Sequence, residues 1–83
     1  MFLTEVKNGA NTVVGAKQTL KIITKGRAKF VALADDAADK IKKTVEAACL
    51  EHAVPCEHIA TMEELGKACG IKVGAATAVI LKN

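Results

Sequence analysis

Eighty-three residues, 51% of them apolar, make one small domain (1–83) with room for a modest core and no second module. Positive mean hydropathy excludes a disordered tail, and no apolar run reaches the ~18 residues a membrane span needs. A formal charge of +3 permits a nucleic-acid partner but does not supply the attraction by itself; a local patch must do that. Three cysteines, an odd number at irregular spacing, fit a reducing cytoplasm better than a disulfide framework. The start Met1-Phe2-Leu3-Thr4-Glu5-Val6-Lys7 carries an early acid and only a short apolar patch, so no secretory signal is expected.

In chain order, Leu3, Val6 and Ala10 read as a weak first helix with Gly9 near its end, and Thr12–Val14 as a short strand. Residues 17–25 read as a helix stopped by Gly26. At roughly 100° per residue, Lys17, Gln18, Lys21 and Lys25 share one arc of that helix. Ala16, Leu20 and Ile23 form another arc, expected to be buried, with Ile22 at the border. Residues 29–34 are a continuous apolar run of strand length. Asp35 and Asp36 follow as candidate N-cap carboxylates for the longest helix, residues 38–53. Its expected stripe is Ala38, Ile41, Val45, Ala48, Cys49 and His52.

Val54-Pro55 ends that helix, and residues 56–60 read as the next strand. Thr61 and Glu64, three apart, match a capping box for a helix that runs to Cys69 and closes at Gly70. Residues 75–81 are a closing strand. Helices alternating with strands cover a central sheet. The expected fold is α/β, a three-layer α/β/α sandwich with a central mixed sheet of about four strands.

The chemistry on offer is narrow. A Walker phosphate loop fails on spacing between Gly9 and Lys17, because five residues separate the glycines and Ala16 separates Gly15 from the lysine. Gly66, Gly70 and Gly74 recur every four residues, which is not a dinucleotide fingerprint. Gly66 and Gly74 instead suit a close backbone approach to a neighbouring element or a ligand. Cys49, His52, Cys56 and His58 follow a Cys-x2-His-x3-Cys-x-His order that could supply four zinc ligands. The simpler reading makes Cys49 part of the helix stripe and alternates Cys56 with His58 on a half-buried strand. On that reading no metal is expected.

The same cysteines and histidines show no third partner to orient a catalytic pair, and Asp35, Asp36 and Asp39 are accounted for by a helix start. No nucleophile, acid–base pair or cofactor loop stands out, so a binding protein is expected rather than an enzyme. The lysine arc opening the second helix reads on composition as the solvated side of an amphipathic helix; it also suits an anionic partner, because backbone N–H groups at a helix start point outward.

Gly15-Ala16-Lys17-Gln18-Thr19-Leu20-Lys21 and Leu65-Gly66-Lys67-Ala68-Cys69-Gly70-Ile71-Lys72-Val73-Gly74-Ala75-Ala76 together resemble the ribosomal protein L7Ae/L30e family, close to its short bacterial members. Ala34-Asp35-Asp36 and Val54-Pro55 fall where that family has its punctuation. The resemblance implies an α/β/α sandwich that binds kink-turn RNA, a bent duplex whose tandem sheared G·A pairs show guanine edges in a widened major groove. It places Gly15, Ala16, Lys17, Gln18 and Lys21 in the RNA-binding surface, with Lys17, Gln18 and Lys21 at guanine edges. Ile71 and Val73 then lie against an extruded nucleotide, the equal alternative being a lid on the core, and Lys25, Arg27 and Lys72 lie near phosphates.

Lys17 and Gln18 depart from the Asn and Glu of archaeal members. Gln18 keeps hydrogen-bonding reach without charge, and Lys17 donates but cannot accept. The expected partners are a structured RNA, in a ribosome or a leader, and no membrane; a monomer in the cytoplasm is expected. The competing class is a protein–protein adaptor on the same fold that does not read RNA.

Overall fold

The computed structural model describes residues 2–7 and 11–82, so Gly9, Ala10 and the side chain of Leu3 lie outside the described residues. Four helices and four strands alternate: α1 (Phe2–Lys7), β1 (Thr12–Val14), α2 (Ala16–Thr24), β2 (Ala28–Ala34), α3 (Asp39–Glu51), β3 (Cys56–Ile59), α4 (Met62–Ala68) and β4 (Thr77–Leu81). The sheet runs in the order β1-β4-β2-β3. β4 is antiparallel to both β1 and β2, whereas β2 and β3 are parallel. A parallel pair needs a crossover, and α3 provides it.

The two central strands are buried on both faces, which is why they read as unbroken apolar runs. Period-two alternation then divides their side chains between two cores. Val31 and Leu33 of β2 and Val79 of β4 pack with Ile23, Val45 and Cys49 beneath α2 and α3. Ala32 and Ala34 of β2, with Ala78 and Ile80 of β4, face Phe2, Ile59 and Leu65 beneath α1 and α4. Alanines on that second face let the two short helices come close, and the Phe2 ring fills what remains. It meets Phe30 edge to face at a centroid distance of 6.0 Å. Thr77, fully buried between the layers, donates its hydroxyl to the Ala32 carbonyl at 2.7 Å.

Three expectations need correction. Asp35 and Asp36 do not cap α3, whose N-cap is Ala38 with no side-chain bond. Each turns to a distant partner instead: Asp36 accepts from the Met62 N–H at 2.8 Å, opening α4, and Asp35 pairs with His58. Within α3 the buried stripe is Val45 and Cys49, with Ile41 and Ala48 partly covered, while Ala38 and His52 are exposed. In α2 the fully buried residues are Thr19 and Ile23, so the inward arc is rotated from the expected one and Leu20 is only partly covered. The Thr61–Glu64 cap forms as expected, Thr61 Oγ1 accepting from the Glu64 N–H at 3.1 Å.

Candidate nucleic-acid interface

α2 starts at the end of the sheet where β1 finishes and β4 begins. Gly15 is its N-cap, with φ 112° and ψ 143°, a region in which a side chain is strained. Its N–H donates to the Thr77 carbonyl at 3.0 Å, tying the helix start to the first residue of β4. No side chain caps the first turn of α2 and no acidic residue lies in it. The outward N–H groups and the positive end of the helix dipole therefore face solvent unneutralised.

From this start Lys17, Lys21 and Lys25 rise at i, i+4 and i+8, all exposed, with Gln18 beside them. Lys17, Leu20, Lys21, Thr24 and Lys25 line one shallow open groove. Among the described residues none of these lysines has a salt-bridge partner; the ion pairs are Lys29–Glu5, Lys42–Asp39, His58–Asp35 and Lys67–Glu63. Like charges four apart on a helix each cost about 0.2–0.5 kcal/mol. Two such pairs lie along the stripe; the negative end of the helix dipole offsets their cost at Lys21 and Lys25 but not at Lys17, in the first turn.

The loop of residues 70–76 reaches the same end of the sheet from the opposite face. Its N-terminal end is fixed by Gly70, at φ 76°, and by an Ile71 N–H to Gly66 carbonyl bond of 3.0 Å that closes α4. Its other end is held by Ala75 N–H to Met62 O at 3.0 Å, and its Ala76 carbonyl accepts from Ala34 N–H at 2.8 Å. Between these ties the backbone lies directly on α4. A Cβ at Gly66 would stand 2.1 Å from the Val73 carbonyl oxygen, and one at Gly74 would stand 3.1 Å from Met62 Cβ. Gly66 and Gly74 thus serve an approach between two elements of the chain itself, whereas Gly70 has open space around it and ends α4. A loop so pinned presents its tip without first having to order it.

The two aliphatic residues of the loop take different roles. Ile71 is partly buried against the α1/α4 core, whereas Val73 is 70% exposed. Lys72, between them, is exposed. Gly15, Ala16, Lys17 and Gln18 therefore share one end of the sheet with residues 71–73, and Lys21 continues the stripe upward. Lys25 caps the far end of α2. Arg27 lies beyond it, exposed, with its carbonyl accepting from the Lys82 N–H at 2.8 Å. The nine residues of α2 span about 13 Å at 1.5 Å each, so Arg27 stands that far from the helix start. Periodicity gave no sign of Thr19, which is fully buried behind the first turn with an Oγ1 that has no hydrogen-bond partner among the described residues.

Residues 2–83 match the ribosomal protein L7Ae/L30e/S12e/Gadd45 family. The chain belongs to that family. An RNA-binding protein of Caldanaerobacter subterraneus is 48% identical over 66 residues, covering 80% of each chain. The RNA-binding protein YbxF of Geobacillus stearothermophilus is 40% identical over 82 residues, covering 99% of this chain and all of that one. Among solved structures, a 15.5 kD RNA-binding protein of Giardia lamblia superposes with a TM-score of 0.78 at 31% identity, over 98% of this chain and 68% of that one.

No group of three or more His, Cys, Asp or Glu side chains is placed to hold a metal among the described residues. Of the four candidate ligands, Cys49 and Cys56 meet across the α3–β3 connection, His58 turns to Asp35 and His52 is exposed. No helix among the described residues is long and apolar enough to cross a membrane.

Proposed function

We propose that this protein binds RNA, recognising and stabilising kink-turns as a cytoplasmic monomer that performs no catalysis. The observation that carries the reading is the Lys17–Lys21–Lys25 stripe, free of salt bridges among the described residues, on a helix start that opens beside a pinned loop with Val73 exposed at its tip. Family membership and relatives named as RNA-binding proteins support it.

In this reading the start of α2 enters the widened major groove of the bent duplex. Lys17 and Lys21 donate to guanine O6 and N7, and the Gln18 amide donates and accepts at a neighbouring base edge. Each such contact is worth about 1–3 kcal/mol by analogy with DNA readout. Val73 lies against the extruded nucleotide, whose unstacked face needs an apolar surface. Ile71 beneath it joins that surface to the core. Lys25, Lys72 and, from the far end of the helix, Arg27 neutralise phosphates. Only bent RNA meets the helix start and the loop together, so binding draws the population toward the bent form. Ribosomal RNA is the first target class to test, since the family takes its name from ribosomal proteins.

Affinity for a kink-turn and for a straight duplex of equal length tests the reading. Tighter binding to the kink-turn, lost in Lys17→Ala/Lys21→Ala, is expected. Equal, weak, salt-sensitive binding to both would replace it with a nonspecific basic surface or a protein–protein adaptor.

A further inference from the structure

At the opposite end of β3 from the loop, the last turn of α3 meets the start of the strand. The buried Cys49 and the half-buried Cys56 pack together there, and both line an open groove of about 390 Å³. Ala47, Leu50 and Val54 form its apolar wall. Leu50 is 86% exposed there, and Glu46 and His58 are the polar residues at its rim. His58 follows Cys56 by two residues on the same face of β3, and its Nδ1 is 2.8 Å from Asp35 Oδ1. The third partner that the sequence alone does not reveal is thus Asp35, brought in from the end of β2.

We propose that Cys49 and Cys56 form a reversible dithiol–disulfide centre, oxidised by hydrogen peroxide and reduced by a small-molecule thiol. The geometry divides the work. Cys56 opens to the groove and is the attacking sulfur, while Cys49, shielded beneath it, is the resolving one. With Cys56 ionised, the Cys49 thiol is the hydrogen-bond donor to its sulfur. That bond first and burial second hold the Cys49 thiol protonated, and the same bond, aided by the His58 charge, pulls Cys56 below its ordinary value of 9.0. Burial and the Glu46 carboxylate oppose ionisation of Cys56.

The Cys56 thiolate attacks one peroxide oxygen. The O–O bond breaks, an S–O bond forms, and the departing hydroxide takes a proton to become water, leaving a sulfenic acid on Cys56. Cys49 sulfur then attacks Cys56 sulfur. The S–S bond forms, and the hydroxyl leaves with the Cys49 proton as a second water. Two thiols and one hydrogen peroxide become one disulfide and two waters. Two equivalents of a small thiol restore the pair by exchange and leave as their own disulfide.

Cys69 is the internal control, because its thiol is raised by burial alone and it lies on α4's C-cap. The reduced full-length protein is treated with one equivalent of hydrogen peroxide, alkylated, digested and weighed. The expected product is a peptide pair joined through Cys49 and Cys56, lighter by two hydrogens and separated again by dithiothreitol, with Cys69 alkylated. In untreated protein at pH 7, Cys56 should react with iodoacetamide about tenfold faster than Cys69. Cys49→Ser should instead leave a sulfenic acid on Cys56 that dimedone traps. Disulfides only between molecules, oxidation of Cys69 at the same rate as Cys56, or no link between Cys49 and Cys56 would each overturn the proposal; the wild-type arm needs no variant to fold.

Discussion

Gly66→Ala separates the role of the pinned loop from that of the lysine stripe. The added Cβ stands 2.1 Å from the Val73 carbonyl oxygen and 3.1 Å from its carbon. Both are backbone atoms, so no rotamer change can clear the space, and the loop must lift by about 1 Å to restore ordinary contact. Overpacking costs typically 1–3 kcal/mol, and with no flexible atom to yield the upper end applies. Alanine returns about 1 kcal/mol of helix propensity over glycine. The net loss is about 2 kcal/mol of folding stability, near a thirtyfold change in the unfolding constant. Urea denaturation reads it as a lower midpoint at unchanged slope. Amide spectra should place the perturbation at residues 66 and 71–75 and leave α2 in position. Kink-turn affinity should fall because Val73 moves while Lys17 and Lys21 stay. A variant as stable as wild type, or one that loses the loop geometry and binds equally well, would refute the packing or the functional reading respectively.

Lys21→Gln should weaken kink-turn binding by about 1–3 kcal/mol, the worth of one base contact, and Lys25→Gln should flatten the salt slope of log K by about 0.7–0.9; an unchanged affinity in the first or an unchanged slope in the second would take that side chain out of the interface. Ala53, at φ 55°, ends α3 in a left-handed position, with Val54 N–H to Cys49 O at 2.8 Å closing the helix. Ala53→Gly should therefore raise stability by about 1 kcal/mol, the left-handed penalty less the added entropy of the unfolded chain, and a lower melting temperature would contradict this. His58 is raised above 6.5 by its bond to Asp35. The pair's contribution is full below pH 6.5 and fades as pH rises through the folded value, so NMR titration should find a lower midpoint in Asp35→Asn than in wild type. A midpoint unchanged by that substitution would show the pair does not form in solution.

Local signals carried most of the element order. The Thr61–Glu64 box, the Val54-Pro55 stop and the apolar run of β2 depend on neighbours in sequence, and each element they predict lies within a few residues of its observed bounds. Asp35 and Asp36 fit a cap by spacing, but their carboxylates find His58 and the Met62 N–H more than twenty residues away. Only the fold brings such partners together. Phe2 is similar: an apolar residue in a weak first helix gives no sign of filling a core that small alanines elsewhere leave open. In α2, the polar arc of Lys17, Lys21 and Lys25 was legible because charges mark the outer face. Thr19 was not, since its burial is set by how the Gly15–Thr77 tie turns the helix on the sheet. The division between Ile71 and Val73 was equally hidden, because it depends on which side of α4 the loop meets.

Amide chemical shifts of the labelled protein, followed as a kink-turn RNA is added, test the proposed RNA face most directly. Saturating changes should appear together at Gly15–Lys21 and at residues 71–74, with the outer face of α3 unmoved. Changes confined to one of the two segments, or centred on α3, would contradict a binding surface built from the start of α2 and the pinned loop.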